Sequence, residues 1–227
     1  MSDVELDVRE SEEEAAAVVA VRLARAARDG ASIVLTGGTT PALAYTDAAR
    51  LESDWSKAVA WWGDERCVPP EHELSNFGLA KRTLLDLLEA QPREVHRIRG
   101  ELGKEAAAAE YDRKLAGAEL DLLLLGVGPD GHVASLFPNE PTLDLDGRAL
   151  PAEARLEPFV DRVTMSLPML CSAGEVLFLI TGESKAEAVR RAFTAPPSRE
   201  TPASLVRART GRTTAILDRA AAARLQA

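Results

Sequence analysis

The stretch DLLLLGVGPDGHVASLFP, residues 121–138, decides the fold and directs the functional analysis. Residues 121–125 predict a short buried strand, because a brief apolar run that ends at glycine is typical of one. The glycine-rich turn that follows this strand carries Asp130 and His132. Glycines at 126, 128 and 131 also match the G-x-G-x-x-G pattern of dinucleotide sites. We favour a turn that presents a catalytic histidine.

The context of these glycines argues against a dinucleotide site. A dinucleotide fingerprint opens a helix in the first βαβ unit, and an acidic residue follows it about 20 residues later at the end of the next strand. Here the turn lies past mid-chain, and the region that follows is rich in proline. Asp130 at the centre of the turn would repel a pyrophosphate.

His132 is the candidate general base. It follows the carboxyl end of a strand, and Asp130 lies two residues away, where a carboxylate can orient the ring and stabilise its charged form. We interpret His72 and His96 as packed or surface side chains. No second histidine has metal-binding spacing, although Glu71-His72-Glu73 contains ligand-type residues, so no metal site is predicted. The G-x-S-x-G motif of serine hydrolases is absent from the sequence.

Outward from this turn, helix and strand signals alternate along the chain. Ser11 and Glu14 form a capping box ahead of the first helix, and Thr40 with Pro41 predicts an N-cap and first helical residue. The predicted helices cover residues 15–28, a segment from 41 onward, 77–88, 104–115, 184–193 and 220–225. The predicted strands cover residues 32–36, 59–62, 121–126, 175–181 and 213–217. Residues 136–160 and 195–202 are predicted loops.

This alternation predicts one α/β domain over residues 1–227. Strands this apolar indicate a mainly parallel sheet covered by helices on both faces. Ligands of such sheets bind beyond the carboxyl ends of the strands. Four segments with suggestive residues fall there, namely 37–41, 64–66, 128–132 and 181–185.

Several of these residues suit an anionic ligand. Gly37 and Gly38 separate a strand from the two threonines that open the next helix, so backbone N–H groups and the helix dipole can bind an anion. Arg66 offers a planar fork to a phosphate, although an ion pair with its acidic neighbours is the alternative. Lys185 lies at a helix start, where a cation opposes the dipole; a solvated surface lysine is the alternative.

The composition excludes several classes of partner. The chain has 27 basic and 36 acidic residues, a net charge of −9, and no long basic run, so neither nucleic acid nor an anionic membrane is expected as a partner. Cys67 and Cys171 are predicted to be reduced, buried and unreactive. The acidic N-terminus is not a secretory signal, and no apolar run approaches the length of a membrane helix. We expect a cytoplasmic protein.

Five motifs together resemble the 6-phosphogluconolactonase family. They are LTGGTTP (35–41), WGDER (62–66), SN (75–76), LGVGPDGHVASLFP (125–138) and TGESK (181–185). The resemblance implies a three-layer αβα sandwich with a mainly parallel sheet, shared with glucosamine-6-phosphate deaminase and ribose-5-phosphate isomerase. It implies hydrolysis of 6-phospho-D-glucono-1,5-lactone to 6-phospho-D-gluconate, the second step of the oxidative pentose phosphate pathway, with no cofactor and no metal.

The resemblance also implies a role for individual residues. His132 would be the general base that activates water, and Asp130 would orient it. The substrate would be held by a wider set, with its phosphate mainly on Arg66 and Lys185. That substrate-binding set is Gly37, Gly38, Thr39, Arg66, Asn76 and Lys185. The expected partner is a phosphorylated sugar lactone, and the expected state is a monomer or a weak homo-oligomer.

Two alternatives are open at this point. The related deaminase/isomerase branch resembles D-G-H-I-A-F-N-E, with a glutamate five residues after the histidine; this chain has Phe137 there, and Glu140 comes three residues later. That branch also prefers an aromatic residue where this chain has Arg66. A sugar-phosphate sensor domain is the non-enzymatic alternative, and such proteins carry a DNA-binding segment ahead of the sensor, which we do not expect here.

Overall fold

The computed structural model describes residues 4–225. Its strands are β1 (Val4–Arg9), β2 (Ser32–Leu35), β3 (Val59–Trp62), β4 (Asp64–Arg66), β5 (Glu94–His96), β6 (Leu122–Leu125), β7 (Ala149–Ala152), β8 (Arg162–Met165), β9 (Glu175–Ile180) and β10 (Arg212–Asp218). Its α-helices are α1 (Glu12–Arg28), α2 (Thr39–Leu51), α3 (Asn76–Thr83), α4 (Lys104–Lys114), α5 (Leu167–Leu170) and α6 (Ala186–Phe193).

A seven-stranded sheet lies at the centre of the fold, in the order β1-β10-β9-β6-β2-β3-β5. All of its neighbouring strands are parallel. The four leucines of β6 are fully buried, as a parallel strand covered on both faces requires. Helices flank this sheet, which confirms the predicted three-layer α/β class.

β1 is a strand that the sequence analysis did not predict. It lies at one edge of the large sheet and pairs with β10 alone. Its apolar residues alternate with charged ones, and Leu6 and Val8 are exposed. An edge strand with a solvated face lacks the continuous apolar run by which a central parallel strand is detected.

The prediction that residues 136–160 form a loop is wrong in part. β7 lies within this segment, and it pairs with β8, which in turn pairs with β4, to form a three-stranded antiparallel sheet. Each of these strands has only three or four residues, and Pro151 interrupts the apolar pattern of β7. Strands this short form because they pair with residues elsewhere in the chain. The periodicity of a local segment does not predict such pairing.

Helix α2 starts two residues earlier than predicted. Gly38, with φ +118°, is the residue before the helix, and Thr39 is the first helical residue. The Thr40 side chain does not cap the helix, because its hydroxyl donates to the Glu12 carboxylate at 2.5 Å instead. Glycine suits this N-terminal position because its φ lies in the left-handed region.

Three further helix boundaries differ from the prediction. The helix predicted over 77–88 ends at Thr83 and is followed by a 3-10 turn over Leu85–Leu87. The helix predicted over 184–193 begins as a 3-10 turn over Glu183–Lys185. Residues 220–225, predicted as a helix, form turns.

The N-terminus of α1 has the predicted Ser11 cap, but the Glu14 carboxylate bonds the N–H of Glu10 and not that of Ser11. The Ser11 hydroxyl accepts a hydrogen bond from the Glu14 N–H at 3.3 Å, and the Glu14 carboxylate accepts one from the Glu10 N–H at 3.3 Å. A Ser N-cap of this kind satisfies backbone donors that the first helical turn leaves free. Glu12 is thereby fixed as the first residue of α1.

Two buried tyrosines fix the carboxyl ends of the central strands. The Tyr45 hydroxyl accepts a hydrogen bond from the Thr36 N–H at 2.8 Å and donates to the Thr36 carbonyl at 2.7 Å. Tyr111 makes the same pair of bonds to Trp62, at 3.0 and 2.9 Å. Burial raises the pKa of both phenols, so each stays a donor. These bonds hold β2 and β3 where their chains leave the sheet.

Candidate active site

The His132 turn directly follows β6 and brings an imidazole and a carboxylate together. The Asp130 Oδ1 atom lies 2.7 Å from His132 Nδ1 and also accepts a hydrogen bond from the His132 N–H at 3.1 Å. With Nδ1 facing the carboxylate, the neutral ring carries its hydrogen on Nδ1 and its lone pair on Nε2. The geometry is that of an oriented general base.

Two glycines of this turn allow its close packing, and Gly128 makes room for the histidine ring. A Cβ atom added at Gly128 would lie 2.0 Å from His132 Nδ1. Gly131 has φ +97°, and a Cβ atom there would lie 2.9 Å from the Thr201 side chain. Gly128 and Gly131, two of the three glycines in the G-x-G-x-x-G spacing, therefore have a local explanation that involves no dinucleotide. An added Cβ atom at Gly126 would meet nothing within 4 Å.

Three contacts support the turn from outside. The Arg191 guanidinium donates to the Asp130 carbonyl at 3.0 Å, and the Ala203 N–H donates to the Gly131 carbonyl at 3.0 Å. The centre of the Phe137 ring lies 4.7 Å from that of the His132 ring. The turn is thus held by α6, by the segment around residue 203 and by its own continuation.

Asp130 is charged beside His132. Burial raises the pKa of the Asp130 carboxyl, but the hydrogen bond and the charge of His132 lower it by more, so the net shift is downward. A carboxylate with a lowered pKa stays ionised at neutral pH and favours the protonated imidazole that a general base becomes.

A cavity of about 500 Å³ opens at the carboxyl ends of the parallel strands. The structure brings most of the predicted site residues together around it. The ones that line it are Gly37, Gly38, Thr39, Arg66, Asn76, His132 and Lys185. Asp130 is the exception, because it lies behind the His132 ring and contacts it without lining the cavity.

Gly37 and Gly38 form a backbone cradle at the start of α2. Within residues 4–225, no hydrogen bond occupies the N–H groups of these two glycines. A Cβ atom at Gly37 would lie 1.9 Å from the Asn76 Oδ1 atom, so only glycine fits. Free N–H groups at the N-terminus of a 13-residue helix are suited to an anionic oxygen.

Arg66 does not form the ion pair that was its alternative. Its Nη1 atom donates to the Leu74 carbonyl at 2.6 Å, and in the described part of the chain its buried Nε atom has no hydrogen-bond partner. Its neighbour Glu65 is occupied elsewhere, accepting from the Asn76 and Phe77 N–H groups at 2.7 and 2.8 Å. The guanidinium is therefore available to a ligand.

Arg162 is a cavity residue that the sequence analysis missed. It lies directly opposite Arg66 in the β4–β8 pair. The side chain is buried, and its Cζ atom lies 5.7 Å from the centre of the Phe137 ring. Its Nε atom has no hydrogen-bond partner among the residues described. Burial lowers the pKa of Arg162, partly offset by Asp64. Two adjacent guanidinium groups with unused donors indicate an anion site.

Lys185 extends the positive charge of the cavity from the other side. It lies in the 3-10 turn before α6, and across residues 4–225 its ammonium group forms no hydrogen bond or ion pair. Burial lowers the pKa of Lys185, and the nearby Asp130 partly opposes this shift. An unpaired, half-buried cation favours an anionic partner.

Asn76 and the missed residue Asp64 form a buried polar group in the cavity wall. The Asn76 Nδ2 atom donates to the Asp64 carbonyl at 2.9 Å and to its carboxylate at 3.1 Å. The Ser135 hydroxyl donates to the same carboxylate at 2.6 Å. Asn76 therefore also holds Asp64 in place, which links α3 to the His132 turn.

Neither of the two sequence positions compared with the glutamate of the deaminase/isomerase branch lines the cavity. Phe137 occupies the position of that branch's glutamate, and it is fully buried under His132 and Arg162. Glu140 pairs with Arg155 at 2.8 Å and does not line the cavity. Neither of these two sequence positions therefore contributes a carboxylate to the described cavity.

The other histidines and the cysteines lie away from this chemistry. His72 is exposed, and His96 stacks on Trp61 with ring centres 4.0 Å apart. Both cysteines are free thiols; burial raises the pKa of Cys67 to about 11 and also raises the pKa of Cys171. Thiols with raised pKa values are poor nucleophiles, which supports the predicted inertness. Both cysteines are half-buried, whereas burial was predicted.

Comparison with known proteins identifies the family of this chain. The model of the family described as glucosamine-6-phosphate isomerases/6-phosphogluconolactonase matches residues 7–215. The chain belongs to this family. A 6-phosphogluconolactonase of Streptomyces coelicolor is 38% identical over 99% of this chain and 96% of its own length.

Solved structures of relatives share the fold. The crystal structure of 6-phosphogluconolactonase from Thermotoga maritima is similar with a TM-score of 0.84 and 28% identity, over 95% of this chain and 100% of the other. A monomeric glucosamine-6-phosphate deaminase has a TM-score of 0.85 at 22% identity, over 97% of this chain and 100% of the other, which shows the common fold alone. Among residues 4–225, no helix is long and apolar enough to cross a membrane.

Proposed function

We propose that this protein hydrolyses 6-phospho-D-glucono-1,5-lactone to 6-phospho-D-gluconate, with His132 as the general base. The observation that carries the proposal is an oriented imidazole, His132 on Asp130, beside three cations in the same cavity. These cations, Arg66, Arg162 and Lys185, form no ion pair among the described residues. Such a cavity suits a phosphorylated neutral sugar whose reactive centre needs an activated water. Relatives named 6-phosphogluconolactonase at 38% identity support it.

His132 takes the proton from water. Its Nδ1–H donates to Asp130, so Nε2 is free to accept a proton as the water oxygen bonds to C1 of the lactone. The resulting tetrahedral oxyanion collapses, and the bond from C1 to the ring oxygen breaks. The ring oxygen takes the proton from the His132 imidazolium and becomes a hydroxyl, which regenerates the neutral base. The new carboxylic acid then ionises. Asp130 acts as a positioning residue that stabilises the imidazolium.

The cations bind the phosphate. Arg66 and Arg162 face each other across two strands, and each has a buried Nε donor that lacks a partner in the described structure. Lys185 adds a charge that no carboxylate in residues 4–225 neutralises by an ion pair. Planar guanidinium forks match phosphate oxygens, and a dianion compensates their burial.

Backbone donors stabilise the anionic oxygens of the ligand. The N–H groups of Gly128, Gly131 and His132 are used within the turn itself. Those of Gly37 and Gly38 are not used in the described structure, and both residues line the cavity beside Thr39. Prepositioned N–H groups of this kind stabilise developing negative charge without reorganisation.

The decisive test measures acid release from the lactone at constant pH. The purified protein should accelerate hydrolysis well above the spontaneous rate in the same buffer, and a rate equal to that of buffer would sink the proposal. Glucosamine 6-phosphate is the matched alternative substrate. Ammonia release from it should be absent, because Phe137 stands where the deaminase branch has glutamate.

We also propose that residues 1–227 form one catalytic domain that acts in the cytoplasm as a monomer or a weak homo-oligomer. Strands from the two ends of the chain, β1 and β10, are neighbours in one sheet, which supports a single folding unit. Residues 1–3 and 226–227 lie outside the described range. The acidic net charge of −9 supports a small-molecule partner over nucleic acid or an anionic membrane. Light scattering after size exclusion measures the oligomeric state.

A further inference from the structure

A cluster of one carboxylate and two hydroxyl groups lines the cavity and has no part in the chemistry described so far. Glu12 begins α1, Thr40 lies in the first turn of α2, and Thr181 follows β9. The Thr40 hydroxyl donates to Glu12 Oε1 at 2.5 Å and lies 2.7 Å from the Thr181 hydroxyl. All three residues line the same cavity as His132.

The hydrogens of this cluster are used internally. Each threonine hydroxyl has one hydrogen, and the contacts between Thr40, Thr181 and Glu12 consume both. The carboxylate has none to give. Within residues 4–225 the second carboxylate oxygen of Glu12 has no hydrogen-bond partner. The cluster therefore presents only acceptors to a ligand, so it suits a hydroxyl donor and opposes an anion.

The other carboxylates of the cavity wall are better compensated. Asp64 accepts hydrogen bonds from Ser135 and Asn76. Asp218 accepts the N–H groups of Gly182 at 3.0 Å and Ala221 at 2.7 Å. None of the three carboxylates, Asp64, Asp218 and Glu12, forms an ion pair among the described residues. Among the three carboxylates that line the described cavity, Glu12 is the one with an oxygen atom that accepts no hydrogen bond.

Lactone hydrolysis changes the charge of the ligand. C1 is an uncharged ester carbon in the lactone and a carboxylate in the product, whereas the phosphate is the same in both. A fixed negative charge in a small cavity therefore disfavours the product more than the substrate.

We propose that Glu12 is a selectivity residue, which accepts a hydroxyl hydrogen bond from the lactone and repels the carboxylate that hydrolysis creates. This inference rests on the proposed function and deepens it. It makes the cavity asymmetric, with cations for the phosphate and an acceptor-only surface for the uncharged sugar. The consequence is weak inhibition by the product, since a repelled product dissociates readily.

The test compares product inhibition in Glu12→Gln with that of wild type. Glutamine keeps the shape and removes the charge, so the inhibition constant of 6-phosphogluconate relative to KM for the lactone should fall by about tenfold. Glu12→Asp keeps the charge and should retain a ratio near that of wild type. Glu13→Gln removes the same charge from the adjacent, exposed residue and should leave the ratio unchanged.

Sorbitol 6-phosphate separates repulsion from a general change in binding. It has a CH₂OH group where 6-phosphogluconate has its carboxylate, so Glu12→Gln should not tighten it. An unchanged ratio in Glu12→Gln, or equal tightening of both ligands, would overturn the inference. A wild-type rate of lactone hydrolysis no higher than that of buffer would instead overturn the proposed function. The two failures are therefore distinguishable.

Discussion

The His132 turn and the cation face, which comprises Arg66, Arg162 and Lys185, meet in one cavity but are built in opposite ways. In the turn, the imidazole and the backbone groups around it have protein partners. In the cation face, donors of the two arginines are buried without partners, and the lysine ammonium forms no ion pair within residues 4–225. The base is thus positioned before any ligand arrives, whereas the cations keep donor groups that are free for a ligand in the described structure.

The contrast predicts different kinetic effects from the two regions. Changes in the turn should lower kcat, because they disturb a group that acts in the transition state. Changes in the cation face should raise KM, because binding energy from a phosphate remote from C1 is felt by substrate and transition state alike.

The largest effect is expected from His132→Ala. Removal of a general base typically costs between about 10² and 10⁴ in rate, and we expect a kcat lower by about 10³. Steady-state kinetics on the lactone, corrected for spontaneous hydrolysis, measures it. Circular dichroism controls for folding, and a kcat within tenfold of wild type would exclude His132 as the base.

Gly128→Ala tests whether glycine is required at this position to make room for the His132 ring. The added methyl would lie 2.0 Å from His132 Nδ1, so the imidazole must leave its place, and we expect kcat to fall by about 10². Gly63→Ala is the matched control, because a Cβ atom at this buried glycine has its nearest neighbour at 3.8 Å. Equal activity of the two variants would contradict the steric argument.

Arg162→Met and Arg66→Met test the cation face. A hydrogen bond to a charged group contributes about 1.5–3 kcal/mol, so each change should raise KM about 10- to 100-fold with a much smaller change in kcat. Arg155→Met serves as the control, since Arg155 pairs with Glu140 outside the cavity. If kcat falls and KM does not change, the guanidinium groups do not bind the phosphate.

The same contrast explains how much of the site the sequence could reveal. His132, Asp130 and their glycines are neighbours in the chain, so a local pattern contains their geometry. Arg162 is next to Arg66 only because β4 pairs with β8, almost 100 residues apart, and both strands are too short for a periodic signal. No local pattern indicated Glu12 either, because its partners Thr40 and Thr181 belong to other parts of the chain.

The fold was predictable to a similar degree. β6 and β9 are continuous apolar runs in the middle of the sheet, and such strands are recognised from composition. β1 was not predicted because half of its residues are charged, as an edge strand permits. Thr40 was expected to cap α2 because threonine favours that position, but tertiary contact with Glu12 outweighed the local preference.

Arg191→Met tests the support of the turn from α6 and should have a smaller effect. Arg191 donates to the Asp130 carbonyl at 3.0 Å without lining the cavity, so it acts as a positioning residue. Loss of one such bond should lower kcat about three- to tenfold and leave KM nearly unchanged. Arg190→Met is the control, because Arg190 contacts Glu187 and not the turn. Equal effects of the two variants would contradict the positioning role.

The smallest effect is expected from pH, and it separates Lys185 from the two arginines. Burial lowers the pKa of Lys185, so as pH rises this ammonium loses its proton before an ordinary lysine does, whereas a guanidinium remains charged. The dissociation constant of 6-phosphogluconate, measured by calorimetry, should therefore rise several-fold between about pH 7 and about pH 10. Lys185→Arg keeps its charge over that range, so its affinity should be nearly independent of pH. A parallel rise in wild type and variant would mean that another group titrates, and that Lys185 does not contribute its charge to phosphate binding.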